Sequence, residues 1–335
     1  MMIRIGRNDM RAILMVLVAG VMFWITAAVA GAPPRRWVKA WPQTDFSRTS
    51  VDFDEIQSGG VPRDGIPAID DPVFLPVSEV THLADSEPVI SLVIEGDARA
   101  YPLQVLIWHE IVNDLVGGVP VSVTFCPLCN AAVAFDRRVG PRVLDFGTTG
   151  KLRKSDLVMY DRQTESWWQQ FTGTAIVGAL TGKMLKILPA RLESFARFRA
   201  RFATGYVLVP RNPRGRAYGR NPYQGYDRSR RPFLYQGSMP DAVAPLARVV
   251  SVGGRAWSLN YIRKRGRLDI GDGVTITWTA GQNSALDAAR IKSGRDVGNV
   301  VVTRRAGGRD VDVPYGVDFA FAFHAFHPEV AIIAD

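Results

Sequence analysis

Arg99-Ala100-Tyr101-Pro102-Leu103 returns about 155 residues later as Arg255-Ala256-Trp257-Ser258-Leu259, and the echo keeps its register beyond that point. Gly118-Val119-Pro120-Val121-Ser122-Val123-Thr124-Phe125 is answered by Gly273-Val274-Thr275-Ile276-Thr277-Trp278, Asn130 by Asn283 and Ala132 by Ala285. Ser166-Trp167-Trp168-Gln169-Gln170-Phe171 shares its pattern with Phe321-Ala322-Phe323-His324-Ala325-Phe326. A repeated unit must bury the same face twice, so this register restricts the fold more than any single motif does. It predicts a mainly β chain (α+β by count) with few short helices. The expected architecture is two diverged β-rich repeats, at 89–205 and 247–335, packed as one unit.

Local patterns agree with a β-rich chain. Residues 89–94, a turn at Glu95-Gly96-Asp97 and residues 98–103 read as a hairpin, and 119–125, 143–146, 157–160, 166–171 and 184–188 read as further strands. One helix is predicted over 191–202, where Leu192, Phe195, Phe198 and Phe202 share a face. Residues 31–88 are punctuated by Pro, Gly and Asp, which blocks long helices and predicts an extended segment laid over the domain. Residues 206–246 form an Arg-, Tyr- and Pro-rich connector between the repeats.

At the start of the chain, Arg4, Arg7 and Arg11 precede an apolar run over 12–29 that closes on Ala28-Val29-Ala30. A basic region, an apolar region and an A-x-A site are the three parts of a signal peptide, here residues 1–30. An uncleaved anchor is the rival, because the run is at the edge of what spans a bilayer. Either way an exported protein is expected, periplasmic or secreted, or held at the membrane. That setting changes the meaning of 41 basic residues against 32 acidic ones. Nucleic acid is not an expected partner. The seven arginines of 210–232, interleaved with Tyr218, Tyr223 and Tyr226, would instead meet anionic envelope lipid or polysaccharide. The sequence names no protein partner.

The chain has two cysteines, Cys126 and Cys129, in Cys126-Pro127-Leu128-Cys129. They fall opposite Thr279 and Gln282, so they belong to the first repeat alone. Haem attachment requires a histidine after the second cysteine, where Asn130 stands, and no phosphate loop suggests a nucleotide. Thiol–disulfide exchange by Cys126 and Cys129 would place the pair at a helix N-terminus, and 130–136 reads as either a short helix or a strand. A permanent disulfide is the structural alternative. In the metal reading the pair is a knuckle supplying two thiolates to copper or zinc. His109 is the expected partner because its counterpart, near Arg265, is not a histidine, and His324 is a further candidate. Residues 153–170 hold a separate set: Asp161 with Glu165 as a carboxylate pair, Trp168 as a sugar-stacking floor, and Gln169 and Arg153 beside them. A turn made by Asp and Arg between two aromatic strands accounts for the same residues.

With these residues assembled, the chain resembles a bacterial family called domain of unknown function 3179. The resemblance rests on Gly59-Gly60-Val61-Pro62-Arg63-Asp64-Gly65-Ile66-Pro67-Ala68-Ile69, Ala100-Tyr101-Pro102-Leu103, Trp108-His109-Glu110-Ile111-Val112-Asn113-Asp114 and Cys126-Pro127-Leu128-Cys129. It extends through 151–170, Tyr218-Gly219-Arg220-Asn221-Pro222-Tyr223 and Trp278-Thr279-Ala280-Gly281-Gln282, covering roughly 50–330. The family usually has glycine after the second cysteine. Asn130 departs from that pattern and would have to adopt a left-handed conformation. The resemblance implies an envelope-exported setting and no established reaction.

Overall fold

Short strands and tight turns make up most of the computed structural model, which describes residues 31–334. The signal peptide expected at 1–30 lies outside the described residues. Among them, no helix is long and apolar enough to cross a membrane. The expected hairpin is present as Pro88–Ile94 and Asp97–Pro102, paired from Val89↔Pro102 to Ile94↔Asp97. Its two-residue turn is Glu95-Gly96, both with positive φ, which matches the twist of the strands it joins.

Four sheets share one pattern of connections, two by two. Ala190–Ser194, Pro88–Ile94, Asp97–Pro102 and Tyr206–Val209 lie in that order, with Val73–Pro76 at the edge. Gly316–Phe319, Arg248–Val252, Arg255–Ser258 and Ile332–Ile333 repeat the order. In both, the strand after the hairpin joins it in parallel. The companion sheets are Lys186–Leu188, Ala131–Asp136, Val119–Cys126 and Ile111–Val116 in the first half, and Arg309–Asp312, Asn299–Ala306, Val274–Thr279 and Arg267–Asp269 in the second. The helices Leu103–His109 and Leu259–Arg265 follow the hairpins, and Phe195–Arg201 and Ala320–Phe326 follow the outer strands.

The first half carries an addition. Between Ala131–Asp136 and Lys186–Leu188 the chain builds Phe146–Arg153, Asp156–Asp161, Trp167–Gln169 and Thr174–Val177, which form a sheet with Ile56–Ser58. The second half has no such sheet among the described residues. The expected match of 166–171 with 321–326 is therefore corrected: the first is strand in this added sheet, the second a helix whose counterpart is Phe195–Arg201. The helix expected over 191–202 is shorter for a related reason, since Leu192 pairs with Ile90 in a strand and the helix starts at Phe195. Leu103–His109 was not anticipated. It is buried from Leu103 to Ile107, so it has no polar face to give a helical period.

The N-terminal segment is more than an extended strap. Its helix Arg35–Ala40 leads Trp37 and Trp41 into an aromatic cluster with Trp167 and Tyr160, whose rings meet edge to face. The connector is also anchored. Asp227, buried, receives Arg248 at 3.3 Å, Arg295 at 3.1 Å and Ser284 Oγ at 2.6 Å. Because Arg248 is buried as well, removing its counter-charge strands a cation in the interior. Asp227→Ala is expected to destabilise the protein by about 3–5 kcal/mol, measured by urea unfolding.

Candidate metal centre

Val119–Cys126 and Ala131–Asp136 are adjacent antiparallel strands, and Cys126-Pro127-Leu128-Cys129-Asn130 turns between them. The Cys129 amide donates to the Cys126 carbonyl at 3.3 Å and the Asn130 amide to the Pro127 carbonyl at 3.2 Å. Asn130 has φ +53°, the left-handed geometry required of a residue standing where glycine is usual. The turn leads into a strand. No helix begins at the thiols, so no helix dipole lowers their pKa. Burial instead pushes both up, Cys129 well above the ordinary thiol value. The cysteines are free.

The added sheet supplies what faces them. Its strands Phe146–Arg153 and Asp156–Asp161 are joined at Lys154-Ser155, both with positive φ and neither a glycine. That turn aims the Ser155 carbonyl at the thiols, with Cys129 Sγ donating at 3.5 Å, and sets Asp156 beside them. Ligand atoms of Cys126, Cys129 and Asp156 all lie within 4.8 Å of one another, all buried, so this group could hold a metal ion. Asp156 is held from behind: Oδ2 accepts Gln169 Nε2 at 2.6 Å and the Phe171 amide at 2.9 Å. Its Oδ1 is buried without a hydrogen-bond partner.

Two more buried carboxyls act electrostatically on this group. Glu110 precedes the strand Ile111–Val116, and its carbonyl accepts the Phe125 amide at 2.8 Å, next to Cys126. Burial and the Asp156 charge push Glu110 up to about 8. Asp318 arrives from the second half and is raised to about 8 by burial and by Asp156, against the Ser251 hydroxyl. Asp156 itself reaches about 6 through burial, moderated by Gln169 and the Phe171 amide. Among the described residues, none of the three carboxyls makes an ion pair with Lys, Arg or His. The buried set lacks a cation.

Glu110 is also strained. It caps the helix Leu103–His109 with φ +59° and ψ −30°, whereas the corresponding cap of Leu259–Arg265 is Gly266 with φ +68° and ψ −39°. The first half places a carboxylate where the second uses the residue best suited to that backbone.

The expected ligands are arranged differently. His109 is not gathered with the thiols: Nδ1 meets the Pro67 carbonyl and Nε2 the Tyr218 hydroxyl, each at 2.8 Å, and the ring stacks on Tyr218. Both ring nitrogens are occupied, and burial lowers the imidazole pKa. His324 lies on Ala320–Phe326 with Nε2 3.1 Å from Ser238 Oγ, also outside the thiol group. Gln169 and Arg153 do reach the site, through Asp156, since Arg153 donates to Gln169 Oε1 at 3.3 Å. Asp161 instead holds its own turn, accepting the Thr164 amide and Trp168 Nε1. Trp168 is fully buried, which rules it out as a sugar-stacking floor. In the connector all seven arginines are exposed while Tyr223 and Tyr226 pack on the core, Tyr226 donating to the Leu128 carbonyl at 3.1 Å.

A family model described as "Protein of unknown function (DUF3179)" matches residues 63–330. No curated protein and no solved structure matches the chain.

In metal-free protein, Glu110→Gly relieves both the backbone strain and a buried carboxyl. It is expected to raise stability by about 1–3 kcal/mol in chelator. The gain grows with pH: a carboxyl whose folded pKa is raised to about 8 stabilises fully below its ordinary value of 4.5 and loses that contribution as pH climbs through 8. Urea midpoints across this range check both statements. A variant that loses stability, or whose gain does not change with pH, contradicts them.

Proposed function

The chain belongs to the DUF3179 family of proteins of unknown function, and from that premise we propose that it is an exported protein whose Cys126, Cys129 and Asp156 bind one zinc ion. The single observation that carries the reading is the buried gathering of Cys126, Cys129 and Asp156, whose ligand atoms all lie within 4.8 Å of one another with no basic side chain paired to Asp156 among the described residues. Burial favours the neutral form of both thiols and of Glu110 and Asp318, while Asp156, at about 6, carries a negative charge with no cationic side chain beside it, and a divalent ion supplies the missing positive charge. Two sulfurs and a carboxylate oxygen suit zinc. Copper(I) prefers a softer set, without carboxylate.

The donors are buried and come from two places, the cysteine knuckle and the added hairpin. A closed site of this kind is structural in character, and its ion would tie the added sheet to the first half. The repeated connectivity of the halves supports reading the chain as a duplicated unit in which one copy carries the site. Export rests on the basic and then apolar pattern of 1–30.

Elemental analysis of protein purified under reducing conditions tests the proposal. Near-stoichiometric zinc is expected in the natural chain and none in the Cys126→Ser, Cys129→Ser double variant. Asp156→Asn should weaken zinc binding by at least about tenfold, measured by competition with a chromophoric chelator. Equal metal content in all three proteins sinks the reading. Cysteines that resist alkylation until a reductant is added identify a disulfide instead.

A further inference from the structure

Away from the thiols, a cleft of about 600 Å³ opens where the connector crosses the helix Leu103–His109 and the loop at 289–292. That volume is typical of a small-molecule site. Its rim has an arrangement that the fold itself does not explain. Arg220 and Arg290 form an isolated antiparallel bridge, flanked by the Asn221 amide on the Ala289 carbonyl at 3.0 Å and the Ile291 amide on the Gly219 carbonyl at 3.1 Å. Residues directly opposite in such a bridge project to one face, and like charges so placed repel. Neither guanidinium has an acidic partner among the described residues. The backbone thus fixes two unpaired cations side by side at the mouth of a cleft.

The interior of the cleft is of another kind. Leu75, Val209, Pro210 and Pro213 give it apolar walls. Gln104 contributes a carboxamide without a hydrogen-bond partner among the described residues, and it lies so near Gly219 that a Cβ there would come within 3.1 Å of Gln104 Oε1. Glu87 is buried, with Oε1 accepting the Ala84 amide and Oε2 without a hydrogen-bond partner, and the Lys292 charge acts on it. Paired cations at the rim and an apolar throat describe one ligand class, with Gln104 and Glu87 left to water deeper in the cleft.

We propose that this cleft binds an amphipathic anion, its carboxylate or phosphate head between Arg220 and Arg290 and its apolar body against Leu75, Val209 and the two prolines. The head relieves the facing charges through charge-assisted hydrogen bonds, for which guanidinium geometry is well suited. The ligand would touch the connector, the first half and the second half at once. This site is independent of the thiol cluster.

Calorimetric titration of the full chain with octyl phosphate, octanoate and octanol tests it. Both anions are expected to bind, with octanol at least about tenfold weaker, and the tighter anion identifies the head group. Arg290→Gln should weaken the anions by at least about tenfold and raise the melting temperature of the ligand-free protein, because it removes the facing charges. Arg220→Gln should act in the same way and serves if the first variant does not fold. The proposal is overturned if neither anion binds at millimolar concentration, if octanol binds as tightly as the anions, or if a folded arginine variant keeps full anion affinity.

Discussion

Two thiols and three carboxyls are buried near one another with no basic side chain paired to the carboxyls among the described residues, and much of the local backbone is arranged to keep them there. Of the nine non-glycine residues with positive φ among those described, four belong to this site: Glu110, Asn130, Lys154 and Ser155. Each such position costs on the order of 1–3 kcal/mol unless its side chain can bond locally, so their convergence is not what stability alone would select. Glu110 is the clearest instance, because Gly266 supplies the unstrained solution at the corresponding helix cap. Burial and strain act together here. The knuckle turns the sulfurs inward, the Lys154-Ser155 turn brings a carbonyl and Asp156 against them, and Gln169 holds that carboxylate through Oδ2.

The parts of this design that were legible in the sequence are those encoded by local pattern. Alternation and Gly turns marked the hairpin 88–102 and the strand that delivers Cys126, and the two-residue spacing marked the knuckle. The departure of Asn130 from glycine correctly implied a left-handed residue. Comparison of the halves isolated the cysteines, because Thr279 and Gln282 replace them. The same comparison holds the signal for Glu110, which aligns with Gly266 one position after the histidine. His109 shared the property of having no counterpart, yet its role is to bridge Pro67 and Tyr218.

Asp156 was not legible for a different reason. It comes from a sheet that the second half lacks among the described residues, so no register between the halves points to it, and its value depends on a contact between hairpins far apart in sequence. The misplaced match of 166–171 with 321–326 has the same origin, since aromatic residues recur in the added strands and in the helix Ala320–Phe326 for unrelated packing reasons. Trp167 and Trp168 look like a surface for ligands in the sequence. In the fold they are core, one against Trp37 and Trp41, the other against Phe146.

The two halves divide the work at the cluster unequally. The first half supplies the sulfurs and Glu110, and its added sheet supplies Asp156. The second half contributes no thiol, but it grips the knuckle: the Phe319 amide donates to the Cys129 carbonyl at 2.9 Å, and Asn130 Nδ2 donates to the Val317 carbonyl at 2.6 Å. These bonds use both ends of the residues that form the turn, so the sulfurs cannot shift without disturbing the strand Gly316–Phe319. Asp318 lies between the two gripping residues and brings its carboxyl to the same place. A change in charge at the thiols is therefore felt directly by the second half, through one short strand rather than through the connector. Ion binding at Cys126, Cys129 and Asp156 would stabilise the contact between the halves as well as the turn itself.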